Sequence, residues 1–479
     1  MNTTWEPVIG IEIHVQLATE SKIFSSTPVE FGAEPNVRAN LVDLAMPGAL
    51  PVLNEEAVAM AVKFGLAIGA EISETCIFDR KNYFYPDLPK GYQISQFESP
   101  IVGRGQLSVF LDDGSVREIS ITRAHLEEDA GKSIHDRFRQ HTGIDLNRAG
   151  TPLLEVVTEP DMRSAAEAAA CFRQLHALVR WLDICDGNLA EGSMRCDANV
   201  SVRPAGDTGF GERTEIKNIN SFRFVERAVN YEIKRQIDIL EHGGEIVRET
   251  RQYDATRDMT FSMRGKELSD DYRYFPDPDL LPLRITKSFR DSVRASMPEL
   301  PRQMLDRFVA DFGIDREVAA RLTSNREIAT YFESTVALGA APLLSANWIL
   351  GDVAAALNRD ERDYSDVPVS AQQLADLVKR LEDQTLSSNL AKDVFDTIWS
   401  SDESVDEIID RRGLRQLSDA DELSDLVQSV VTAHPEQVEQ IRGGATKVVG
   451  FLVGQVMKAS HGRADPRQVN GLLKRMLNI

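Results

Sequence analysis

The sequence predicts an α+β fold whose strand-rich first part gives way to a helical remainder. Up to about residue 290, short strands, Pro/Gly loops and a few strong helices alternate. From about residue 293 to 405 the pattern is almost wholly helical. Between them, Phe275-Pro-Asp-Pro-Asp-Leu-Leu-Pro282 is too rich in proline to be a helix. A charged segment, Asp402 to Arg415, then introduces a small C-terminal module, so the expected domains are 1–292, 293–405 and 406–479.

The first element is the strand Val8 to Leu17. Side chains alternate faces along a strand, so Ile11, Ile13, Val15 and Leu17 share one face and Glu12, His14 and Gln16 the other. That polar face is either a solvated side of a half-exposed strand or a functional surface. A helix is expected after Ser164-Ala-Ala-Glu167, which reads as a capping box, with Phe172, Leu175, Val179 and Leu182 at helical spacing. A second starts near Ser221 and carries Phe224, Ala228, Ile233 and Ile237 to a stop at Gly243-Gly244.

With 479 residues, 42% of them hydrophobic, the chain can fill the cores of roughly two to four domains. Asp and Glu total 75 against 54 Lys and Arg, a net charge of −21. That balance argues against a general nucleic-acid coat but not against local basic patches. The cysteines, Cys76, Cys171, Cys185 and Cys196, include no CxxC pair and read as reduced thiols, not a disulfide frame or zinc cluster. No secretory signal and no apolar run of membrane-spanning length is visible. A soluble, cytoplasmic protein without a membrane partner is expected. The last forty residues are basic: Arg442, Lys447, Lys458, Arg463, Arg467, Lys474 and Arg475 face only Asp465. They are either a contact for a phosphate backbone or a solvated helical face.

Several polar constellations carry candidate chemistry. In His125-Leu-Glu127-Glu128-Asp129-Ala-Gly131-Lys132-Ser133, adjacent carboxylates repel unless solvated or sharing a cation. The trailing Gly-Lys-Ser is not a P-loop, because Leu126 stands where that motif needs glycine. The run fits a divalent metal site or an exposed, salt-bridged turn. Glu155 lies within the apolar strand Leu153 to Val157, where a carboxylate needs a cation, a metal or a proton. It is either ion-paired with Arg148 or part of a hard-cation site with Glu12, His14 and the 127–129 run. The loop Asp79 to Gln93 adds Lys81, Tyr83, Tyr85 and Lys90, suited to phosphates or nucleobases unless its rings pack beneath it. Gly192 to Asn199 and Glu215 to Asn220 repeat closely spaced polar residues in short strands.

Together these motifs resemble the B subunits of the bacterial and organellar aspartyl/glutamyl-tRNA amidotransferases. The resemblance rests on Gly10-Ile-Glu12-Ile-His14-Val-Gln16-Leu17, Phe31-Gly-Ala-Glu-Pro-Asn36, Pro47-Gly-Ala-Leu-Pro51 and Asp79 to Gln93. It continues through His125 to Lys132, Asp145 to Asp161, Asp270 to Pro276 and Gly450 to Lys458, essentially the whole chain. The resemblance implies a cradle-shaped mixed-sheet domain, a helical domain and a small helical tail that contacts tRNA. It implies binding of mischarged Glu-tRNA(Gln) or Asp-tRNA(Asn), with ATP-dependent phosphorylation of the attached carboxylate. By resemblance, His14, Glu128 and Glu155 would hold a divalent metal, Mg2+, with Glu12 in or beside the same site. Lys81 and Lys90 would line it near phosphates or along the ammonia path, while Glu127 and Asp129 rank lower. Arg442, Lys447, Lys458, Arg463, Arg467, Lys474 and Arg475 would contact the tRNA. Zinc is not expected, because the cysteine pairs that some relatives carry near Phe24–Thr27 and Asn40–Leu44 are missing. No amidase segment is present either. The expected partners, within a heterotrimer, are therefore an amidase (the A subunit) and a small third chain (the C subunit).

Overall fold

The alternation read in the first strand is realised. In β1 (Trp5–Gln16), Ile9, Ile11, Ile13 and Val15 are fully buried on one face, and Glu12, His14 and Gln16 are turned the other way. The structure, a computed structural model, describes residues 4–111, 113–135, 140–265, 272–415, 420–442, 448–460 and 463–477. The chain divides into two compact units, Met1–Leu300 and Pro301–Ile479.

In chain order the other strands of the first unit are β2 (Thr75–Cys76), β3 (Asp79–Asn82), β4 (Tyr92–Ser95), β5 (Gly105–Phe110), β6 (Val116–Glu128), β7 (Lys132–Ile134) and β8 (Gly143–Asp145). They continue with β9 (Pro152–Thr158), β10 (Met194–Pro204), β11 (Thr214–Lys217), β12 (Glu249–Asp254), β13 (Met259–Gly265), β14 (Phe275–Pro276) and β15 (Leu283–Arg284). One large sheet has the order β13-β12-β11-β10-β1-β9-β6-β5. It is antiparallel except where β11 meets β12, so the sheet is mixed. The order β14-β3-β4 forms a smaller sheet.

Among the described residues, helices cover one face of the large sheet. In α1 (Glu55–Ala67), α2 (Ala165–Trp181) and α3 (Phe222–Glu241), the apolar stripes face the strands. Phe172, Leu175 and Val179 of α2 join Val225, Ala228 and Val229 of α3 over Ile11, Ile13, Cys196 and Ala198. Each large side chain buried there contributes about 1.5–3 kcal/mol. Ser164 caps α2 by accepting the Glu167 N–H at 3.2 Å, but the Glu167 carboxylate reaches the Arg163 N–H, one residue before the cap. Ser221 caps α3 through the Phe224 N–H, and the helix ends at His242 before Gly243. A further helix, α4 (Lys287–Ala295), packs on α1 with Val293 buried, so the first unit extends beyond the change of sequence pattern near residue 293.

A bulge in β6 has consequences for the site. The β6–β9 register shifts between Ile121 and Arg123. Before it, Ile119 and Ile121 point into the core; after it, Ala124 and Leu126 do. One inserted residue therefore swaps the faces of everything that follows. Arg123, His125 and Glu127 emerge on the helix-free face.

The segments around residues 22–27 and 38–43 are tied by a buried ion pair. Lys22 is fully buried, and its Nζ donates to Asp43 Oδ2 (3.0 Å), the Arg38 carbonyl (2.7 Å) and the Leu146 carbonyl (3.4 Å). Asp43 also accepts from the Ser25 hydroxyl, the Thr27 hydroxyl and the Asn40 N–H at 3.0–3.2 Å. Gly150 lies against this pair in a left-handed conformation, φ +85°, and a Cβ there would come 2.9 Å from Asp43 Oδ1.

The described residues of the second unit form helices joined by short loops. Phe308, Phe332, Leu374, Val378, Val394 and Phe395 are among its buried side chains. Helix Val405–Arg412 packs against Ala371–Glu382, where Arg380 grips Asp406 through two 2.8 Å bonds. Gly413, at φ +61°, ends that helix. A separate apolar cluster of Leu423, Val427, Ile441, Leu452, Val456, Val469 and Leu473 then holds the tail helices together. On them Arg442, Lys458, Arg467, Lys474 and Arg475 are exposed and form no ion pair among the described residues. Arg463 is half-buried and donates to the Ser460 carbonyl at 3.3 Å. Lys447 lies outside the described residues.

Candidate active site

The site is built by lateral register. His14 of β1 pairs opposite Glu155 of β9 and Arg195 of β10, and Glu155 in turn lies opposite His125 of β6. Four strands remote in sequence therefore place His125, Glu155, His14 and Arg195 in one row on the helix-free face. Glu12, Asp197 and Arg123 continue the next row, and Glu127 lies on the far side of the first. Asn199 and Glu215 pair one row further on.

At the centre, His14 Nε2 is 3.5 Å from Glu155 Oε2 and 3.7 Å from Glu127 Oε1. His125 Nε2 is 3.3 Å from Glu155 and 3.8 Å from Glu127. Ligand atoms of His14, Glu127 and Glu155 all lie within 4.8 Å of one another. Burial by itself would depress both histidines, but the two carboxylates override it: His14 is raised and His125 is pushed up to about 9. Burial likewise opposes ionisation of the carboxylates. The Lys81 ammonium nevertheless holds Glu127 below the ordinary range, and His125 and His14 hold Glu155 well below it. Glu12 moves the other way, raised by burial and by Glu155, Glu215 and Asp197 against one 2.8 Å bond from Asn199.

The small sheet supplies Lys81 from β3. Its ammonium sits 5.1 Å from the centroid of the Tyr272 ring and lines the same cavity as His14 and Glu155. Burial opposes its charge, and Glu127 and Glu155 raise its pKa regardless. Lys90 and Glu128 pair with each other instead, and Glu128 also accepts the Ile94 N–H at 2.8 Å. Glu128, expected beside His14 and Glu155, thus stands apart from them in this structure. Past the bulge, Glu128 lies on the core side of β6, and its neighbour Glu127 takes the place beside His14. Lys90, expected to line the site, is drawn away with it.

Two further expectations are settled by distance. Arg148 does not pair with Glu155; it donates to the carbonyls of Ala130 (2.9 Å) and Gly131 (2.7 Å) and lies 3.6 Å from Asp129. Asp129 is held by Arg195 Nη2 (2.8 Å) and Gln16 Nε2 (3.0 Å) and keeps its charge despite burial. It therefore anchors the neighbouring strands. Sequence reasoning assigned no role to His125, Arg195, Asp197, Asn199, Glu215 or Lys217. The signal was present: between Met194 and Val200 every second residue is apolar and buried, which leaves Arg195, Asp197 and Asn199 on the site face. Lys217 closes this edge at 2.8 Å from Asp197 and 3.0 Å from Glu215.

The donor set suits a hard divalent cation. One imidazole and two carboxylates converge, and a cavity of about 230 Å³ opens in front of His14, Glu155 and Glu12. Among the described residues no other group of three His, Cys, Asp or Glu side chains converges in this way.

Comparison with known proteins agrees with this architecture. A family model described as the GatB/GatE catalytic domain matches residues 7–291, and one described as the GatB domain matches residues 330–477. A protein of Thioalkalivibrio sulfidiphilus, named as the B subunit of an aspartyl/glutamyl-tRNA(Asn/Gln) amidotransferase, is 58% identical over 474 residues, 99% of each chain. Relatives of the same name from Alkalilimnicola ehrlichii and Pseudomonas savastanoi pv. phaseolicola are 57% and 56% identical over 475 and 477 residues, again 99% of each chain. With matches that span both units and identity along nearly its whole length, the chain belongs to the GatB family, the B subunits of aspartyl/glutamyl-tRNA(Asn/Gln) amidotransferases.

Proposed function

We propose that this chain binds mischarged Glu-tRNA(Gln), Asp-tRNA(Asn) or both, and uses ATP to phosphorylate the attached side-chain carboxylate. Ammonia then replaces the phosphate. Its source is glutamine, hydrolysed by an amidase partner, the A subunit of a cytoplasmic heterotrimer completed by a small C subunit. The observation that carries this reading is the convergence of His14, Glu127 and Glu155 beside Lys81 in a chain of this family.

The chemistry explains why such a site is needed. A carboxylate at neutral pH will not accept ammonia, because oxide would have to leave. Attack of a carboxylate oxygen on the γ-phosphorus breaks the bond to the β–γ bridging oxygen and expels ADP. Ammonia then adds to the acyl carbon and phosphate departs. His14, Glu127 and Glu155 would hold Mg2+, whose charge would offset that of the phosphates. Lys81 adds a fixed positive charge on the same side, where the carboxylate and the γ-phosphate repel each other. Its aromatic neighbours and the two buried glutamates hold the ammonium in place. Glu12 and the Asp197–Lys217–Glu215 network orient the strand edge that faces the substrates.

The direct test is ADP formation by the co-purified complex, comparing mischarged tRNA with the same tRNA deacylated. Turnover only with the mischarged form is expected. Turnover indifferent to tRNA would point to a small-molecule ligase, and none at all to a tRNA-binding scaffold.

The tail gives a second expected result. Neutralising Lys458, Arg467, Lys474 and Arg475 should weaken tRNA binding and flatten its salt dependence. The log–log slope should fall by roughly 0.7–0.9 for each phosphate that is no longer neutralised. Filter binding across a salt series checks this, and an unchanged slope would leave the tail a solvated face.

A further inference from the structure

One buried imidazole beside the acidic cluster lines neither of the cavities that reach His14. His125 is 4% exposed, and it stands outside the set of ligand atoms that lie within 4.8 Å of one another. It is placed behind the carboxylates instead. Its Nε2 is 3.3 Å from Glu155 Oε2 and 3.8 Å from Glu127 Oε2.

The polar contacts of this ring are confined to those two glutamates. Its other nitrogen, Nδ1, is buried and has no hydrogen-bond partner among the described residues. An unpaired buried nitrogen is costly, so a histidine that served packing alone would tie it to the scaffold or give way to an apolar residue. The strand under the ring is anchored. Ala124 exchanges two backbone bonds with Val102, at 3.0 and 3.1 Å, and the Leu126 N–H donates to Gln96 Oε1 at 3.1 Å. Glu155 depends on this post more than Glu127 does. Glu127 Oε2 also accepts from the Ser95 hydroxyl at 3.2 Å. Among the described residues, Glu155 pairs with His14 and His125 alone, and both approach the same oxygen, Oε2.

We infer that His125 is a positioning residue for the metal cluster, its Nε2–H holding Glu155, and with Ser95 also Glu127, in the orientation that converges with His14. This rests on the divalent cation proposed above. A nitrogen that ligates a metal carries no proton. Ligation through His14 Nε2, the atom that faces both carboxylates, would therefore end its role as a donor to Glu155 and leave that role to His125. A proton on Nε2 of His125 suffices, whether the ring is neutral or charged. Outer donors of this kind set metal affinity by a factor of about 10–100.

The test is Mn2+ binding by the co-purified complex without tRNA or ATP, followed by EPR. A Glu127→Gln, Glu155→Gln double variant serves as the blank for this site. His125→Leu should weaken binding by about 10–100-fold. His125→Gln, whose amide N–H reaches about as far as Nε2, should recover most of that loss. The rise in melting temperature on adding Mn2+, read on the folded complex, should shrink in His125→Leu and return in His125→Gln. Pulsed EPR should show one imidazole nitrogen on the bound Mn2+, still present in His125→Leu. A second nitrogen that disappears in His125→Leu would make His125 a ligand itself and overturn the positioning role. Equal affinity in wild type and His125→Leu also overturns it, as does an equal loss in the Leu and Gln variants, which marks packing. Wild-type binding no better than the blank would sink the proposed metal reading and this inference together, whereas failure of the inference alone leaves wild-type binding intact.

Discussion

Glu127→Gln and Glu155→Gln are expected to lower mischarged-tRNA-dependent ADP formation by about 10²-fold or more. Each removes one of the two carboxylates that converge with His14. Loss of one such charge where phosphates must be neutralised costs a factor of this order. Both variants should also lose some stability, because Lys81 favours the charged form of Glu127, and His125 and His14 that of Glu155, in buried positions. Glu128→Gln should cost stability while leaving His14, Glu127 and Glu155 in place. It leaves the Lys90 ammonium without its counter-charge in a mostly buried position, a loss of about 3–5 kcal/mol. Melting curves, ADP assays and a Mn2+ titration of the three variants separate the two residues. If Glu128→Gln abolishes Mn2+ binding at unchanged stability while Glu127→Gln retains it, the assignment of Glu127 to the cluster is wrong.

The second large effect concerns folding. Asp43→Asn and Lys22→Met should each destabilise the first unit by about 3–5 kcal/mol, since each strands an opposite charge in a buried position. Asp43→Asn should be the more damaging of the two. In Lys22→Met the Asp43 carboxylate still accepts from Ser25, Thr27 and the Asn40 N–H. In Asp43→Asn the Lys22 ammonium keeps only the carbonyls of Arg38 and Leu146. Gly150→Ala should cost about 1–3 kcal/mol at the same place, through its left-handed backbone and the 2.9 Å approach to Asp43. The shift in denaturant midpoint, followed by a probe in the first unit, checks all three. A Lys22→Met, Asp43→Leu double variant that recovers part of the loss would confirm that the unpaired charge, not the lost volume, is responsible.

Much of the architecture was legible because it is local. The period of two in Val8 to Leu17, the caps at Ser164 and Ser221 and the proline-rich stretch at 275–282 each act within a few residues. The pairing of His14 with Glu155 was also within reach, since both are polar residues that interrupt apolar strands. Less legible was the partner of Glu155, for which Arg148 was an equal candidate in sequence. The fold carries Arg148 to the carbonyls of Ala130 and Gly131 and sets His125 beside Glu155 instead. The choice between Glu127 and Glu128 turned on the bulge at Ile121–Arg123, which the residues themselves do not announce. Helix Val405–Arg412 is a similar case: its charge suggests the start of a tail, but Val405, Ile408 and Ile409 are buried in the helical region before it.

The sequence by itself determined which residues are apolar-in and polar-out along each strand and helix. Those preferences follow from backbone periods of 2 and 3.6 residues and from the cost of burying unpaired polar groups. It thereby determined that β1 offers a carboxylate, an imidazole and an amide to one face. Only the tertiary structure decided which other residues meet them. Lateral register among β6, β9, β1 and β10 sets that choice, and it joins residues as far apart in the chain as His125 and Glu155 or His14 and Arg195. A single extra residue in β6 was enough to put Glu127, and not Glu128, beside His14.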